Sequence, residues 1–192
     1  MGLVRGYIAA SVDGFVATTD GGVGWLDPFN EEDFGYADFE ARIGTLVMGR
    51  TTFEQVLTFG KWPYAGKKVV VLSSRKLSSL PEGVVARRGD LPGLSNELGR
   101  QAKDAWVVGG PKTLGAFLRL GAVSTLELFV IPVLLGDGVP LFERRAGKAE
   151  RLTLEEVRQY PNGVVKLGFR LGPAPRPPAG RPATARPHAR KR

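Results

Sequence analysis

The stretch "DAWVVGGPKTLGAFLRLG", Asp104–Gly121, joins a short apolar run to an amphipathic segment through two glycines and a proline. Ala105–Val108 reads as a buried strand. Leu114, Phe117, Leu118 and Gly121 recur at i, i+3, i+4 and i+7, which predicts a helix over Pro111–Leu120. Pro111 suits the first helical turn, where its missing N–H is not needed and its fixed φ is already helical. Gly109-Gly110 is the joint between them. With no side chain on either glycine, the free N–H groups that follow make a seat for an anionic group. Strand, bare corner and helix together are the repeating unit of an α/β sheet.

Working outward, apolar runs rich in Val, Leu and Ile predict further strands at Val4–Ala10, Thr45–Met48, Lys68–Leu72, Val84–Arg87 and Thr125–Ile131. Helical spacing falls at Glu31–Ile43, Thr51–Thr58 and Ser95–Lys103. Beyond Pro140 the period changes. Leu152, Leu154 and Val157, then Val165, Leu167, Phe169 and Leu171, are spaced for two strands, and Pro161-Asn162-Gly163 between them suits a hairpin turn. The expected fold is a mostly parallel α/β sheet that ends in an antiparallel hairpin.

Composition narrows the chemistry. A length of 192 residues fits one domain, expected over residues 1–171. The apolar runs Val69–Leu72 and Leu126–Leu135 are far shorter than the roughly 20 residues that cross a bilayer, and the opening "MGLVRGYIAASVDG" reads as a strand rather than a signal peptide. There is no cysteine, which excludes thiolate catalysis and cysteine-held zinc and suggests a cytoplasmic protein. The single histidine, His188, lies in the Pro/Arg-rich segment Gly172–Arg192, which has no apolar period and is expected to be disordered. A body without imidazole excludes Ser-His-Asp triads, histidine bases and nearly every catalytic zinc site, so no metal is expected. Carboxylates, hydroxyls or a cofactor must carry any reaction. The tail also holds six Lys/Arg and no acid, so most of the net charge of +8 belongs to it. A specific nucleic-acid surface on the body is therefore not implied.

Two more predicted strand ends resemble the first. Gly49, Arg50, Thr51 and Thr52 offer a bare residue, a planar cation and two hydroxyls at the start of a helix. Ser73, Ser74 and Arg75 follow Leu72 directly. Three such corners at the carboxyl ends of strands point to an extended polyanionic ligand. The common nucleotide fingerprints fail: "GKWPYAGKK" puts five residues instead of four between its glycines and Lys68 in the Ser/Thr place, and "DGGVGWL" contains no GxGxxG.

Taken in order, "YIAASVDGFVA", "TLVMGRTTFEQV", "VVVLSSR" and "WVVGGPKTLGAFLRLGAVSTLELFVIPVLLGDGVPLF" resemble the dihydrofolate reductase-like superfamily, over about Leu3–Leu171. The similarity is closest to the branch holding the reductase domain of bacterial riboflavin biosynthesis and its stand-alone relatives. That resemblance implies an NADPH-dependent reductase on a mixed sheet of eight strands, cytoplasmic and homodimeric, acting on a small heterocyclic substrate. It implies that Gly49, Arg50, Thr51 and Thr52 hold cofactor phosphates, and that Ser73, Ser74 and Arg75 surround the adenosine end and its 2′-phosphate. Gly109 and Gly110, often joined by a cis peptide in the superfamily, would face the pyrophosphate and nicotinamide beside Lys112, Thr113 and Leu114. Ala10, with Ser11 and Asp13, matches the first strand and the loop that closes over nicotinamide; Trp25, Asp33 and Tyr36 match the substrate wall. For Asp33 a solvated acid at a helix start remains the alternative, for Tyr36 a place in the core, and Asp137 is either a turn residue or a pocket-rim group. The rival functions are dihydrofolate reduction and a non-catalytic nucleotide-binding module with a basic tail.

Overall fold

The computed structural model describes residues 1–143 and 151–172. The tail expected to be disordered, from residue 173 on, lies outside the described residues. The elements in chain order are β1 (Val4–Ser11), β2 (Phe15–Ala17), a 3-10 turn (Gly24–Phe29), α1 (Tyr36–Arg42), β3 (Ile43–Gly49), α2 (Arg50–Leu57), β4 (Lys68–Leu72) and β5 (Val84–Arg87). There follow α3 (Leu91–Gly99), β6 (Asp104–Gly109), α4 (Pro111–Arg119), β7 (Thr125–Ile131), β8 (Val139–Pro140), β9 (Thr153–Gln159) and β10 (Val165–Arg170).

Eight strands form one sheet in the order β5-β4-β3-β6-β1-β7-β10-β9, and β2 pairs with β8 in a small separate ribbon. Pairing is parallel from β5 to β7 and antiparallel for β7–β10 and β10–β9. This is the α/β architecture the strand pattern predicts. β1 sits in the middle because Val4, Gly6, Ala10 and Ser11 are buried there, flanked by β6 and β7. On one face, α3 and α4 cover Val47, Val70, Val107 and Leu126 with Leu94, Leu98, Leu114 and Phe117. On the other face, α1 and α2 bring Phe39, Phe53 and Val56 over Leu46, Met48, Val69, Val71 and Trp106.

Two helix starts differ from expectation. The segment from Glu31 is not helical before Tyr36, because Phe34 (φ 54°) and Gly35 (φ 78°) turn left-handed ahead of it. Phe34 accepts that backbone while its carbonyl takes the hydroxyls of Tyr7 (3.4 Å) and Tyr160 (3.2 Å). The acids Glu31, Glu32 and Asp33 therefore do not open a helix. The third helix begins at Leu91 rather than Ser95, since the Asp90 carboxylate accepts the Gly93 N–H (2.9 Å) as an N-cap and Pro92 fits the first turn. β2 and β8 carry no apolar period of their own and were not expected.

Candidate functional site

The register aligns the three bare corners. Gly49 on β3 pairs with Leu72 on β4, and Met48 pairs with Gly109 on β6. The loops after β4, β3 and β6 therefore leave the same edge of the sheet side by side, about 10 Å across at ordinary strand spacing. α2 and α4 start there, and neither N-cap, Gly49 or Gly110, carries a side-chain cap. The first N–H groups of α2 are left for a ligand or solvent, whereas at α4 Pro111 has no N–H and those of Thr113 (2.9 Å) and Leu114 (3.1 Å) go to the Gly110 carbonyl, which leaves the Lys112 N–H.

The glycines at this edge differ in what requires them. Gly49 has φ −77°, and a Cβ there would meet Thr113 Oγ1 at 2.9 Å, so Thr113, buried against it, accounts for the glycine. Gly109 has φ 134°, a conformation that side chains resist. Gly110 has neither reason: φ is −68°, and its only neighbour would be Thr52 Oγ1 at 3.4 Å. The Gly109-Gly110 peptide is cis.

Arg50 lies half-exposed at the start of α2 with its Nη1 2.7 Å from both carboxylate oxygens of Glu54. Thr51 is exposed and Thr52 half-buried. Lys112 is exposed, while Leu114 is wholly within the core and Ala10 is buried in the same cluster. The side chains of Leu114 and Ala10 are thus taken up by the core.

After β4, Ser73, Ser74, Arg75 and Lys76 line a depression of about 250 Å³ with Ala86, Arg87 and Arg88. The Ser73 hydroxyl donates to the Arg75 carbonyl (2.7 Å) and accepts its N–H (3.0 Å), which fixes the turn. Arg87 is committed to Glu97 (2.7 Å) and Asp90 (3.1 Å). Arg75, Lys76 and Arg88 have no carboxylate partner among the described residues. Lys76, Arg87 and Arg88 were not foreseen. Their signal was the parallel pairing of Leu72 with Arg87, which spacing alone does not reveal.

On the substrate side, Ser11 and Asp13 are brought together but are occupied with each other. The buried Ser11 hydroxyl donates to Asp13 Oδ1 (2.5 Å) and accepts the Phe15 N–H (3.0 Å). The Asp13 carboxylate also takes the N–H groups of Leu135 (3.2 Å) and Gly136 (2.7 Å). The Ser11 hydroxyl and these amides hold the exposed Asp13 carboxyl below the usual carboxylate range. Asp13 thereby ties the turn after β1 to the loop after β7. Asp137 accepts the Gly138 N–H (2.8 Å), the turn role.

Trp25, like Tyr7 and Ala9 of β1, packs against the buried cluster of Phe129, Ile131, Tyr160 and Val164, and its buried indole N–H has no partner among the described residues. Gln55 on α2 donates to the Gly21 carbonyl (2.8 Å), which pins the preceding loop. Asp33 is exposed and accepts the Ala37 N–H (3.2 Å). Tyr36 joins an aromatic layer, with ring centroids 5.9 Å from both Tyr7 and Trp106, and burial pushes its hydroxyl pKa up. No cluster of three or more metal-ligating side chains occurs among the described residues, and no described helix is long and apolar enough to cross a membrane.

Comparison with known proteins places this geometry. The sequence pattern of the RibD C-terminal domain matches residues 4–166. The Bacillus subtilis (strain 168) protein YwjB is 34% identical over 164 residues, covering 82% of this chain and 92% of that protein. The crystal structure of a putative riboflavin biosynthesis protein from Shewanella sp. PV-4 is 27% identical with a TM-score of 0.78, covering 89% of this chain and 99% of that one. An Enterococcus faecalis dihydrofolate reductase complexed with NADP(H) superposes with a TM-score of 0.62 over 90% of this chain and 98% of that one, at 17% identity, a likeness of fold. With the pattern spanning residues 4–166, from the start of β1 into β10, the protein belongs to the RibD C-terminal domain family.

Proposed function

We propose that this chain is an NADPH-dependent reductase that passes hydride to a small heterocyclic substrate, of the 5-amino-6-(5-phosphoribosylamino)uracil reductase type, and works in the cytoplasm. The observation that carries the reading is Gly110, a glycine that neither a positive φ nor a close contact beyond its chain neighbours requires, set between two helix starts without side-chain caps. The donors nearby fit a dinucleotide: Arg50, Thr51 and Thr52 for its bridging phosphates, Ser74, Arg75 and Arg88 for a phosphate at its far end. The cofactor supplies the hydride. The chain binds and orients it, and the aromatic layer of Tyr7, Phe129 and Trp25 excludes water on the side of β1 and β7. A folate-type substrate is less well served, since Asp33 lies before α1, exposed and accepting the Ala37 N–H.

The deciding experiment is NADPH oxidation with a diaminopyrimidine ribosyl phosphate, dihydrofolate and simple carbonyls in parallel. Turnover with the first supports the proposal, turnover with dihydrofolate alone replaces it, and tight NADPH binding with no acceptor favours a binding module. NADPH is expected to bind more tightly than NADH. Arg75→Ala should narrow that preference by about tenfold, the worth of one charge-assisted bond. Equal affinity of the unmodified chain for both nucleotides refutes the placement of the far phosphate.

We also propose a homodimer. α3 and α4 pack on β1, β3 and β6, and beyond them the half-buried Leu167 and Phe169 of β10 continue into the exposed Leu154 and Val157 of β9 as an apolar strand face. Glu127 and Glu156 both pair with Lys166 on the opposite face. A second copy therefore meets this surface without burying a lone charge. Sedimentation at micromolar concentration should give the dimer mass; a monomer disproves it.

A further inference from the structure

We infer that Glu54 sets how tightly the chain holds the anionic part of its nucleotide, by occupying Arg50 in the free protein. The inference rests on reading Gly49–Thr52 as a phosphate seat. Within that seat Arg50 is the one charged donor, and its Nη1 is 2.7 Å from both Glu54 oxygens.

Fold stability does not explain this carboxylate. The pair is an i,i+4 contact with side chains 33% and 50% exposed, a class that adds little to stability. Nor does Glu54 complement the helix dipole, because α2 has no acid in its first turn and Glu54 stands beyond it. Its negative charge lies one arginine side chain away from where an anion must sit, and it opposes that anion. Phosphate binding then requires the Arg50 fork to be withdrawn from Glu54 or shared with it. The expected effect is a lower affinity and a faster release of oxidised and reduced nucleotide alike.

The test is calorimetric titration of NADPH into the full chain and three variants, Glu54→Gln, Arg50→Ala and the double substitution, with thermal melting of each. Glu54→Gln should melt like the parent and bind NADPH roughly three- to tenfold more tightly at low ionic strength, with the gain shrinking in high salt. Arg50→Ala should bind more weakly. In the Arg50→Ala background, Glu54→Gln should bring little gain. A gain that persists undiminished without Arg50 shows simple repulsion and overturns the competition inferred here. Unchanged or weaker binding by Glu54→Gln overturns it as well, the latter by showing that Glu54 holds Arg50 in place for the ligand. A parent chain that binds no NADPH overturns the phosphate-seat reading itself, and this inference with it.

Discussion

Gly110→Ala is expected to fold with a melting temperature within about 4 °C of the parent, yet to bind NADPH at least about 30-fold more weakly. The first half follows from the free protein. At φ −68° an alanine meets no left-handed strain, and beyond its chain neighbours its methyl would touch Thr52 Oγ1 alone, at 3.4 Å. A glycine-to-alanine change at a compatible position alters stability by about 1 kcal/mol or less, which in a chain of this size is a few degrees. The second half follows from where that methyl would stand. It enters the space between the first turns of α2 and α4, where backbone must lie against the nucleotide. Losing that approach by even a fraction of an ångström removes several contacts at once, and 30-fold corresponds to about 2 kcal/mol. Thermal melting and an NADPH titration on the same sample separate the two quantities. A variant that melts and binds like the parent would make this corner purely structural and remove the main support for a nucleotide site. Gly109→Ala is the contrasting control: its φ of 134° makes it lose stability whether or not a ligand binds there.

Lys166→Met should lower stability by about 3 kcal/mol, or roughly 6–12 °C in Tm. Lys166 on β10 reaches Glu127 on β7 (2.7 Å) and Glu156 on β9 (3.0 Å), and the side chains of Lys166 and Glu127 are only 13% and 12% exposed. Burial alone would lower the lysine pKa, but the bonds to Glu127 and Glu156 outweigh it and raise the value above its usual one. A raised lysine pKa adds stability that is complete at neutral pH and is lost only as alkaline pH rises through the folded value. Methionine keeps the stem but strands Glu127 without its cation. Glu127→Leu combined with Lys166→Met should recover much of the loss, because the penalty comes from the unpaired charge rather than from missing packing. Urea unfolding of the two variants decides this. A Lys166→Met chain as stable as the parent would show that water reaches Glu127 freely.

Local periodicity carried much of the fold. Ala105–Val108 and Pro111–Leu120 emerged as β6 and α4 within a residue or two, since a buried parallel strand is continuously apolar and an amphipathic helix repeats at 3.6. α1 was misjudged at its start because nothing in Glu31–Gly35 announces that two tertiary hydroxyls will hold the Phe34 carbonyl. α3 was misjudged although its signal was present: Asp90 followed by Pro92 is a readable cap. Of the candidate site, the residues at Gly49, Ser73 and Gly109 could be named from strand ends alone. Their adjacency could not, because it depends on the β4-β3-β6 order. For the same reason Arg88 went unseen, as did the bonds that tie Asp13 to the loop after β7.

The central place of β1 bears on how the chain comes off the ribosome. Val4–Gly6 must wait for Ala105–Val107, and Arg5–Ser11 for Thr125–Ile131, before either flank of the first strand is covered. At a synthesis rate of roughly 5–20 residues per second, an apolar strand made about a hundred residues before its partners stays unpaired for several seconds or more. Meanwhile β3 and β4, close in sequence, can pair with each other but find no β6 to close the middle. Slowing elongation between β1 and β6 would prolong the exposure of that strand to chaperones, whereas slowing it well after Ile131 would act once both partners of β1 have been made.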